Sequence, residues 1–274
     1  ASSLMKSEYL KGIDNQPIQP ESNSYGTLQS YSHYRLTFPN ELTRLTLSGN
    51  YMLSITDSYG TELFSRRFVV YTPQVNVPAE VKRARDLKYY DTQQVVQFTI
   101  NQKDFRLDNP QVAVKVAVLQ NYRWDTAITG LKPQYIIGNE LVYRYDRETA
   151  FWAGNEYFYF DSKDIRVAAS GIARFTRDRL VGSYLFTNVS RANSVYTYYP
   201  DINGDFLITT VNGANPANEA DYTQVHFALE GKSTFWNKEV YVYGKFSNYE
   251  LRDEYKLTYD EKDGLFKGKV LLKQ

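Results

Sequence analysis

The sequence predicts an all-β protein built from β-sandwich domains in tandem. Runs of β-branched and aromatic residues recur with period-two alternation, and Gly, Asn, Asp and Pro separate these runs. Tyrosine is abundant, with 25 copies among 274 residues. This suits a sheet, because the large ring packs on one face while the hydroxyl reaches water or a partner. We therefore expect strands and turns to form most of the chain.

The predicted strands follow one another along almost the whole sequence. They lie at residues 34–38, 51–56, 63–71, 94–100, 112–119, 140–145, 156–160, 183–186, 206–211, 224–229, 239–244, 255–259 and 265–272. Asp263-Gly264 separates the last two, and this dipeptide favours the positive φ angles of a tight hairpin turn. Helical periodicity is nearly absent. The best helix candidate, 78–86, is short and highly charged, so a turn or loop is an equal alternative.

Two polar stretches predict the boundaries between domains. Residues 72–91 mix Pro, Asn and charges after an apolar strand, and residues 211–221 show no apolar period. We expect domains at 1–71, 72–212 and 213–274. The outer two are shorter than the roughly 100 residues of a complete sandwich. We therefore expect one or both of these outer domains to be truncated.

Composition excludes several classes of function. The 32 basic and 31 acidic side chains give a net charge of +1, which lacks the basic excess of a nucleic-acid binder. The absence of cysteine excludes disulfides, thiolate zinc sites, iron–sulfur clusters and cysteine nucleophiles. No stretch approaches the roughly 18 consecutive apolar residues of a membrane helix. We expect no nucleic-acid partner and no direct membrane span.

The sequence indicates no catalytic centre and no cofactor. His33 and His226 are far apart, and neither lies near a nucleophile-elbow motif. Paired carboxylates of a glycoside hydrolase remain an alternative, although nothing singles out a pair among 31 acids.

One segment resembles the start of a calcium-binding loop. Asp201, Asn203 and Asp205 alternate as oxygen ligands do in such a loop, but Phe206 stands where that loop needs glycine. A hairpin turn at Asn203-Gly204 is the competing interpretation. We predict no metal site.

Aromatic and arginine side chains supply the candidate binding residues. Tyrosine, tryptophan and arginine concentrate binding energy at protein interfaces. The candidate partner contacts are Tyr122, Arg123, Trp124, Tyr196, Tyr198 and Tyr199. Loops that merely cap a sandwich are the alternative interpretation. Trp236 and Tyr249 are candidates for stacking on a sugar ring, with core packing as their alternative.

Several motifs, in order along the chain, resemble one protein family. They include Glu8-Tyr-Leu-Lys-Gly12, Tyr31-Ser-His-Tyr-Arg-Leu-Thr-Phe-Pro-Asn40, Leu119-Gln-Asn-Tyr-Arg-Trp-Asp125, Ala153-Gly-Asn-Glu156, Tyr199-Pro-Asp-Ile-Asn-Gly204 and Val240-Tyr-Val-Tyr-Gly244. Together they resemble the plug protein of the type IX secretion system of Bacteroidota. The resemblance covers nearly the whole chain. It implies immunoglobulin-like β domains, with an early-set-like domain at the C-terminal end. Similar proteins continue beyond both ends of this sequence, which implies that the first domain is truncated at its start and the last at its end.

The resemblance also implies a location and a task. Similar proteins are periplasmic and associated with the outer membrane, and they dock on the giant β-barrel translocon and seal its pore. That task is non-enzymatic. The alternative is a periplasmic or surface glycan-binding module that uses Trp236 and Tyr249. Asp125-Thr126-Ala127 fits the short pattern that Bacteroidota use for O-glycosylation, so Thr126 is a candidate modification site.

Overall fold

The computed structural model of the chain describes residues 3–102, 107–168, 170–191, 194–231 and 237–274. Its strands are β1 (Leu10–Gly12), β2 (Pro20–Asn23), β3 (Ser32–Tyr34), β4 (Thr43–Leu45), β5 (Gly49–Thr56), β6 (Glu62–Val70), β7 (Val75–Asn76), β8 (Ala79–Arg83), β9 (Gln93–Gln102), β10 (Ala117–Val118), β11 (Ile128–Thr129), β12 (Tyr135–Ile137), β13 (Glu140–Tyr143), β14 (Ala150–Trp152), β15 (Ile172–Arg177), β16 (Val181–Leu185), β17 (Tyr222–Glu230), β18 (Val240–Tyr241), β19 (Lys256–Asp260) and β20 (Leu265–Lys273). The helices are α1 (Lys6–Tyr9), α2 (Pro110–Ala113), α3 (Pro216–Glu219) and two 3-10 turns, Lys245–Ser247 and Asp253–Tyr255. The predicted all-β class is confirmed.

The first region, residues 3–72, consists of three two-stranded antiparallel sheets. β1 pairs with β4, β2 with β3, and β5 with β6. Side chains of β5 alternate between half-buried and exposed positions along its whole length, as expected when one face of a sheet is covered. On that face Tyr51 stacks on Phe68 at 5.4 Å, and Phe68 meets Phe38 edge-on at 5.7 Å.

The central sheet is organised around β9. One edge of β9 pairs with β13 and β14, and the other edge pairs with β7 and β8. β12 extends the sheet by pairing with β13. The core against this sheet contains the buried side chains of Phe98, Ile100, Leu131, Leu141 and Tyr143. Phe98 and Tyr143 lie opposite each other in the register, and their rings stack at 4.5 Å.

The third sheet has the order β15-β16-β17-β20-β19-β18. β16 and β17 are parallel, and the remaining neighbours are antiparallel. This sheet contains strands from both sides of residue 212, where the sequence predicts a boundary. The sheets group the strands as 10–70, 75–152 and 172–273, whereas the division into three domains at 71 and 212 stays a prediction.

A junction joins the first region to the third sheet. The carboxylate of Asp221 accepts hydrogen bonds from the backbone N–H groups of Leu28 and Gln29. The Tyr31 hydroxyl donates to the carbonyl of Ala220 at 2.7 Å, and the Lys273 ammonium lies 4.1 Å from the Tyr31 ring centroid. Segment 28–31 is therefore fixed against the start of β17 and the end of β20.

Several strand predictions are wrong in whole or in part. Only Tyr34 of the predicted strand 34–38 lies in a strand, β3, and the predicted strands 112–119 and 239–244 shrink to the two-residue strands β10 and β18. Residues 156–160 and 206–211 are not strands, because their backbone groups bond outside a ladder: the Tyr157 N–H donates to the Asp201 side chain, and the Thr209 N–H donates to the Gln274 carbonyl. Residues 112–119 begin within α2, whose first position is Pro110, a residue favoured there because its φ suits a helix.

The helix candidate at 78–86 is also wrong, because this segment contains β8. It pairs with a free edge of β9 over Ala79–Arg83. Its charged side chains are typical of an edge strand, where they discourage pairing with another chain. The hairpin at Asp263-Gly264 is confirmed: Gly264 has φ +66°, and its N–H donates to the Asp260 carbonyl at 2.9 Å.

Candidate partner interface

A tight turn presents the first group of candidate residues. Asn121 and Tyr122 both have positive φ angles, and the Arg123 N–H donates to the Gln120 carbonyl at 3.0 Å. The Tyr122 side chain is 91% exposed. The backbone of this turn therefore holds the Tyr122 ring in solvent at its tip.

Arg123 is fixed by two partners. Its guanidinium forms a two-pronged ion pair with the Asp125 carboxylate, with Nε 3.0 Å from Oδ1, and it donates to the Tyr243 hydroxyl at 3.1 Å. The bonds from Arg123 lower the pKa of the Asp125 carboxyl, so the pair stays charged. Arg123 therefore ties the 120–125 turn to the chain near β18.

Trp124 faces the first region. The guanidinium carbon of Arg67, on β6, lies 5.0 Å from the centroid of the Trp124 ring, a cation–π arrangement. The Trp124 side chain is half-buried. This contact joins the 120–125 turn to the β5–β6 sheet.

Three tyrosines lie behind the turn. The Tyr157 and Tyr243 rings are parallel at 6.2 Å, and Tyr249 meets Tyr243 edge-on at 5.7 Å. The Tyr249 hydroxyl donates to the Asn203 carbonyl at 2.8 Å. Burial, as the main cause, raises the pKa of Tyr157 to about 12. We name Tyr157, Tyr243, Tyr249 and Arg123 the tyrosine cluster.

The 201–205 segment is a turn packed on this cluster. Asn203 and Gly204 have positive φ angles, and the Asp205 N–H donates to the Ile202 carbonyl at 3.0 Å. A Cβ at position 204 would approach the Tyr157 ring to 2.5 Å, so only glycine fits. Asp201 accepts from the Tyr157 N–H at 2.6 Å, and Asp205 pairs with Lys245.

The carboxylates of Asp201 and Asp205 therefore bond to neighbouring protein groups and hold the 201–205 turn in place. Across the described ranges, no group of three or more His, Cys, Asp or Glu residues could hold a metal ion.

The second group of candidate residues lies in an exposed segment without regular structure, 194–200. The exposed fractions are 65% for Tyr196, 68% for Tyr198 and 70% for Tyr199. The Tyr196 hydroxyl donates to the Glu156 carboxylate at 2.6 Å. Glu156 directly precedes Tyr157, so this segment adjoins the tyrosine cluster. We name Tyr122, Tyr196, Tyr198 and Tyr199 the aromatic surface.

The structure thus brings together several candidates that are distant in sequence. Arg123, Tyr249 and the 201–205 turn meet at the tyrosine cluster, with Tyr122 beside them and Tyr196 adjoining. Sequence reasoning missed Tyr157 and Tyr243, because two more tyrosines among 25 carry no distinguishing signal. Thr126 is exposed. Its glycosylation stays a prediction, as do the partner contacts.

Of the two residues predicted to stack on a sugar ring, the structure describes only Tyr249. Tyr249 is half-buried, with its hydroxyl and ring engaged inside the tyrosine cluster. Trp236 lies outside the described residues. The stacking of this pair on a glycan stays a prediction. Within the described part of the chain, no helix is long and apolar enough to cross a membrane.

Comparison with known proteins identifies relatives of this chain. The family described as the type 9 secretion system plug protein, first domain, matches residues 1–72. A crystal structure of a hypothetical protein from Parabacteroides merdae ATCC 43184, at 2.30 Å resolution, has a TM-score of 0.93 and 32% sequence identity. The match covers 100% of this chain and 69% of that chain. No curated protein matches the chain.

Proposed function

The chain belongs to the type IX secretion system plug family, and from this premise we propose that it docks on the outer-membrane translocon barrel and seals the pore without catalysing a reaction. A role related to type IX secretion follows from the family itself. The proposal places the protein in the periplasm, associated with the outer membrane and with the giant barrel as its partner. The single observation that carries it is the family match over residues 1–72.

The physical task of such a protein is steric. A very wide β-barrel encloses an aqueous channel, so an unoccupied pore would leak solutes. A seal needs a rigid body of suitable size and a contact surface that can be released. It needs no nucleophile, base or metal.

The aromatic surface supports the docking part of the proposal. Tyrosine side chains contribute large contact areas and become hot spots when a partner covers them. Tyr122, Tyr196, Tyr198 and Tyr199 are all more than half exposed. Their neighbourhood also contains Arg123, whose guanidinium is already held by Asp125 and Tyr243.

The tyrosine cluster supports a pre-organised interface. Ordering loops on binding costs free energy. Here the 120–125 turn, the 201–205 turn and the segment around Tyr249 are already joined through Arg123, Tyr243 and Asn203. Because these loops are fixed before docking, a larger share of the contact energy remains for affinity.

Co-purification from native outer membranes tests the proposal. The tagged protein is expected to bring the translocon barrel with it, and deletion of its gene is expected to raise outer-membrane permeability while the translocon carries no cargo. The variant Tyr196→Ala/Tyr198→Ala/Tyr199→Ala should lose most of the barrel, because hot-spot truncations cost about 2 kcal/mol or more each. The matched control is Tyr59→Ala, in the turn between β5 and β6, where the side chain is 93% exposed. A deletion strain with a normal barrier, and no barrel in the purified sample, would refute the proposal.

A further inference from the structure

Four side chains form a row across one face of the third sheet. The register places Arg174 of β15 beside Tyr184 of β16, Tyr184 beside His226 of β17, and His226 beside Lys269 of β20. The Arg174 guanidinium carbon lies 3.6 Å from the Tyr184 ring centroid. The Tyr184 and His226 rings stack in parallel at 4.0 Å. A cation therefore stands at each end of an aromatic pair.

The opposite face of these strands is the buried one. Residues that alternate with the row along β16, β17 and β20 are Ser183, Val225 and Val270, and all three are buried. Arg174 and Lys269 are exposed, while Tyr184 and His226 are half-buried. The row thus lies on the open side of the sheet.

The two cations carry charge that the described residues do not neutralise. Among these residues, no carboxylate forms an ion pair with Arg174 or Lys269, whereas the neighbouring Lys267 is paired with Asp260 and Asp263. The His226 imidazole likewise forms no hydrogen bond with a described residue. A row with two unpaired cations and an imidazole is complementary to negative charge.

There is room for a ligand beside the row. A groove of about 460 Å³ is lined by Tyr184, His226, Lys269 and neighbouring residues of β16, β17 and β20. Next to the ring pair lies Gly182, where a Cβ would come within 3.3 Å of the Tyr184 ring and 3.7 Å of His226 Nε2. The Thr176 hydroxyl lies 2.4 Å from that Cβ position, so position 182 is closely packed, and the groove meets the ring pair on the β20 side instead.

The spacing of the cations selects the shape of the ligand. Arg174 and Lys269 are three strand spacings apart, about 14 Å between backbones. A single phosphate or carboxylate is compact and reaches one end of the row. In an extended polypeptide, side chains four residues apart are separated by about 13 Å and point to the same side. Two carboxylates at that spacing meet both cations.

We propose that the row Arg174–Tyr184–His226–Lys269 binds an extended acidic segment of a partner protein, with carboxylates at positions i and i+4. One carboxylate pairs with Arg174 and the other with Lys269. The backbone between them crosses the edges of the Tyr184 and His226 rings, where His226 Nε2 donates a hydrogen bond. This site is separate from the aromatic surface and adds a second contact to the proposed function, whose barrel co-purification does not depend on it.

Protonation of His226 couples this site to pH. The groups on the face of the imidazole are Arg174 and Tyr184 from β15 and β16, Lys269 and Lys267 from β20, and Gln224 and Ala228 on its own strand. The charge of Lys267 is balanced by Asp260 and Asp263. Burial, followed by the charges of Lys269 and Arg174, lowers the pKa of His226. Bound carboxylates stabilise the imidazolium and so raise this pKa again. Affinity for the acidic segment should therefore increase as the pH falls.

Proton NMR of the imidazole rings tests the site directly. The chain has two histidines, so His226→Gln assigns both ring signals. The probe is the synthetic peptide Ser-Asp-Ser-Gly-Ser-Asp-Ser, and the control peptide has Asn in place of both Asp residues. We expect the acidic peptide to shift the His226 signal and raise its titration midpoint, while the His33 signal stays unchanged.

Substitutions separate the proposed pairing from general electrostatic attraction. Arg174→Gln and Lys269→Gln should each weaken peptide binding by about twofold to fivefold, as expected for exposed ion pairs, and the double variant should weaken it by the product. Lys262→Gln, an exposed lysine of the β19–β20 turn, should leave binding unchanged. Equal shifts with the Asn peptide, no His226 shift at millimolar peptide, or equal affinity for inorganic phosphate would each overturn the proposal.

Discussion

The first region and the central sheet use similar strands but bury them to different extents. Among the described residues of 3–72, Thr43 is the only buried one. In the central sheet, Leu141 and Tyr143 are both completely buried, and Phe98 and Ile100 pack beside them. Both regions contain stacked aromatic rings, at Tyr51–Phe68 and at Phe98–Tyr143. Only the second stack lies in a closed core.

This difference shows what the first region depends on. A two-stranded sheet is marginally stable by itself in water, and burial of apolar area is the main source of stability. One face of the β5–β6 sheet is only half-covered, so the stability of the first region depends more on contacts with other segments than that of the central core does. Those contacts are Arg67 with Trp124 and the junction of 28–31 with Ala220, Asp221 and Lys273.

The largest expected effect is in the central core. Leu141→Ala removes a fully buried side chain from between Phe98, Ile100 and Tyr143. It should lower the free energy of unfolding by about 2–5 kcal/mol, measured by chemical denaturation. The matched control is Leu63→Ala on β6, where the leucine is 63% exposed and the loss should stay within about 0.5 kcal/mol. Equal losses would contradict the contrast between the two regions.

The next effect concerns the junction. Asp221→Ala removes the acceptor of the Leu28 and Gln29 N–H groups and should weaken the attachment of the first region by about 1–2 kcal/mol. Hydrogen exchange in β5 and β6 should accelerate, while exchange in β9 stays unchanged. Lys262→Ala serves as an exposed control. Acceleration in β9 as well would mean that the first region and the core unfold together.

A smaller effect appears at alkaline pH. The folded protein holds the Tyr157 pKa at about 12, above the ordinary value of about 10. The contribution of the neutral phenol to stability is fully present below about pH 10 and is lost as the pH rises towards 12. Tyr157→Phe should reduce the loss of stability between about pH 10 and 12. Denaturant unfolding at several pH values measures this loss in both proteins. An unchanged pH dependence would show that the Tyr157 phenol is not shifted.

The smallest expected change in stability comes from a Tyr→Phe substitution, which removes one hydroxyl, made once in the central core and once in the first region. The buried Tyr143 hydroxyl has no hydrogen-bond partner among the described residues, so Tyr143→Phe should change stability by less than about 0.5 kcal/mol or raise it slightly. The Tyr31 hydroxyl donates to Ala220 across the junction, so Tyr31→Phe should cost about 1 kcal/mol. Thermal unfolding of both variants measures the difference, and the reverse order would contradict the assignment of these hydroxyls.

Sequence reasoning succeeded where the signal is local. Alternation identified β5, β6, β17 and β20, and Asp263-Gly264 identified the last hairpin. It failed where a distant segment decides the outcome. Residues 156–160 alternate like a strand, but the Tyr157 N–H donates to the Asp201 carboxylate and the Tyr157 ring stacks on Tyr243 instead. The 78–86 segment became a strand because β9 offers a free edge.

The candidate site shows the same limit. Tyr122, Arg123 and Trp124 could be chosen because their residue types suit interfaces. The tyrosine cluster that fixes them could not, because Arg123, Tyr157, Tyr243 and Tyr249 are brought together only by the packing of separate loops.

Site-specific photo-crosslinking in native outer membranes tests the central claim most directly. A photoreactive residue replaces Tyr198 on the aromatic surface or, as the control, Tyr59 on the β5–β6 turn, both of which are exposed. We predict that the Tyr198 position crosslinks to the translocon barrel when the barrel carries no cargo, and that the Tyr59 position does not. The Tyr198 crosslink should disappear when cargo fills the pore. Absence of the crosslink at Tyr198, or equal crosslinking from both positions, would contradict docking through the aromatic surface.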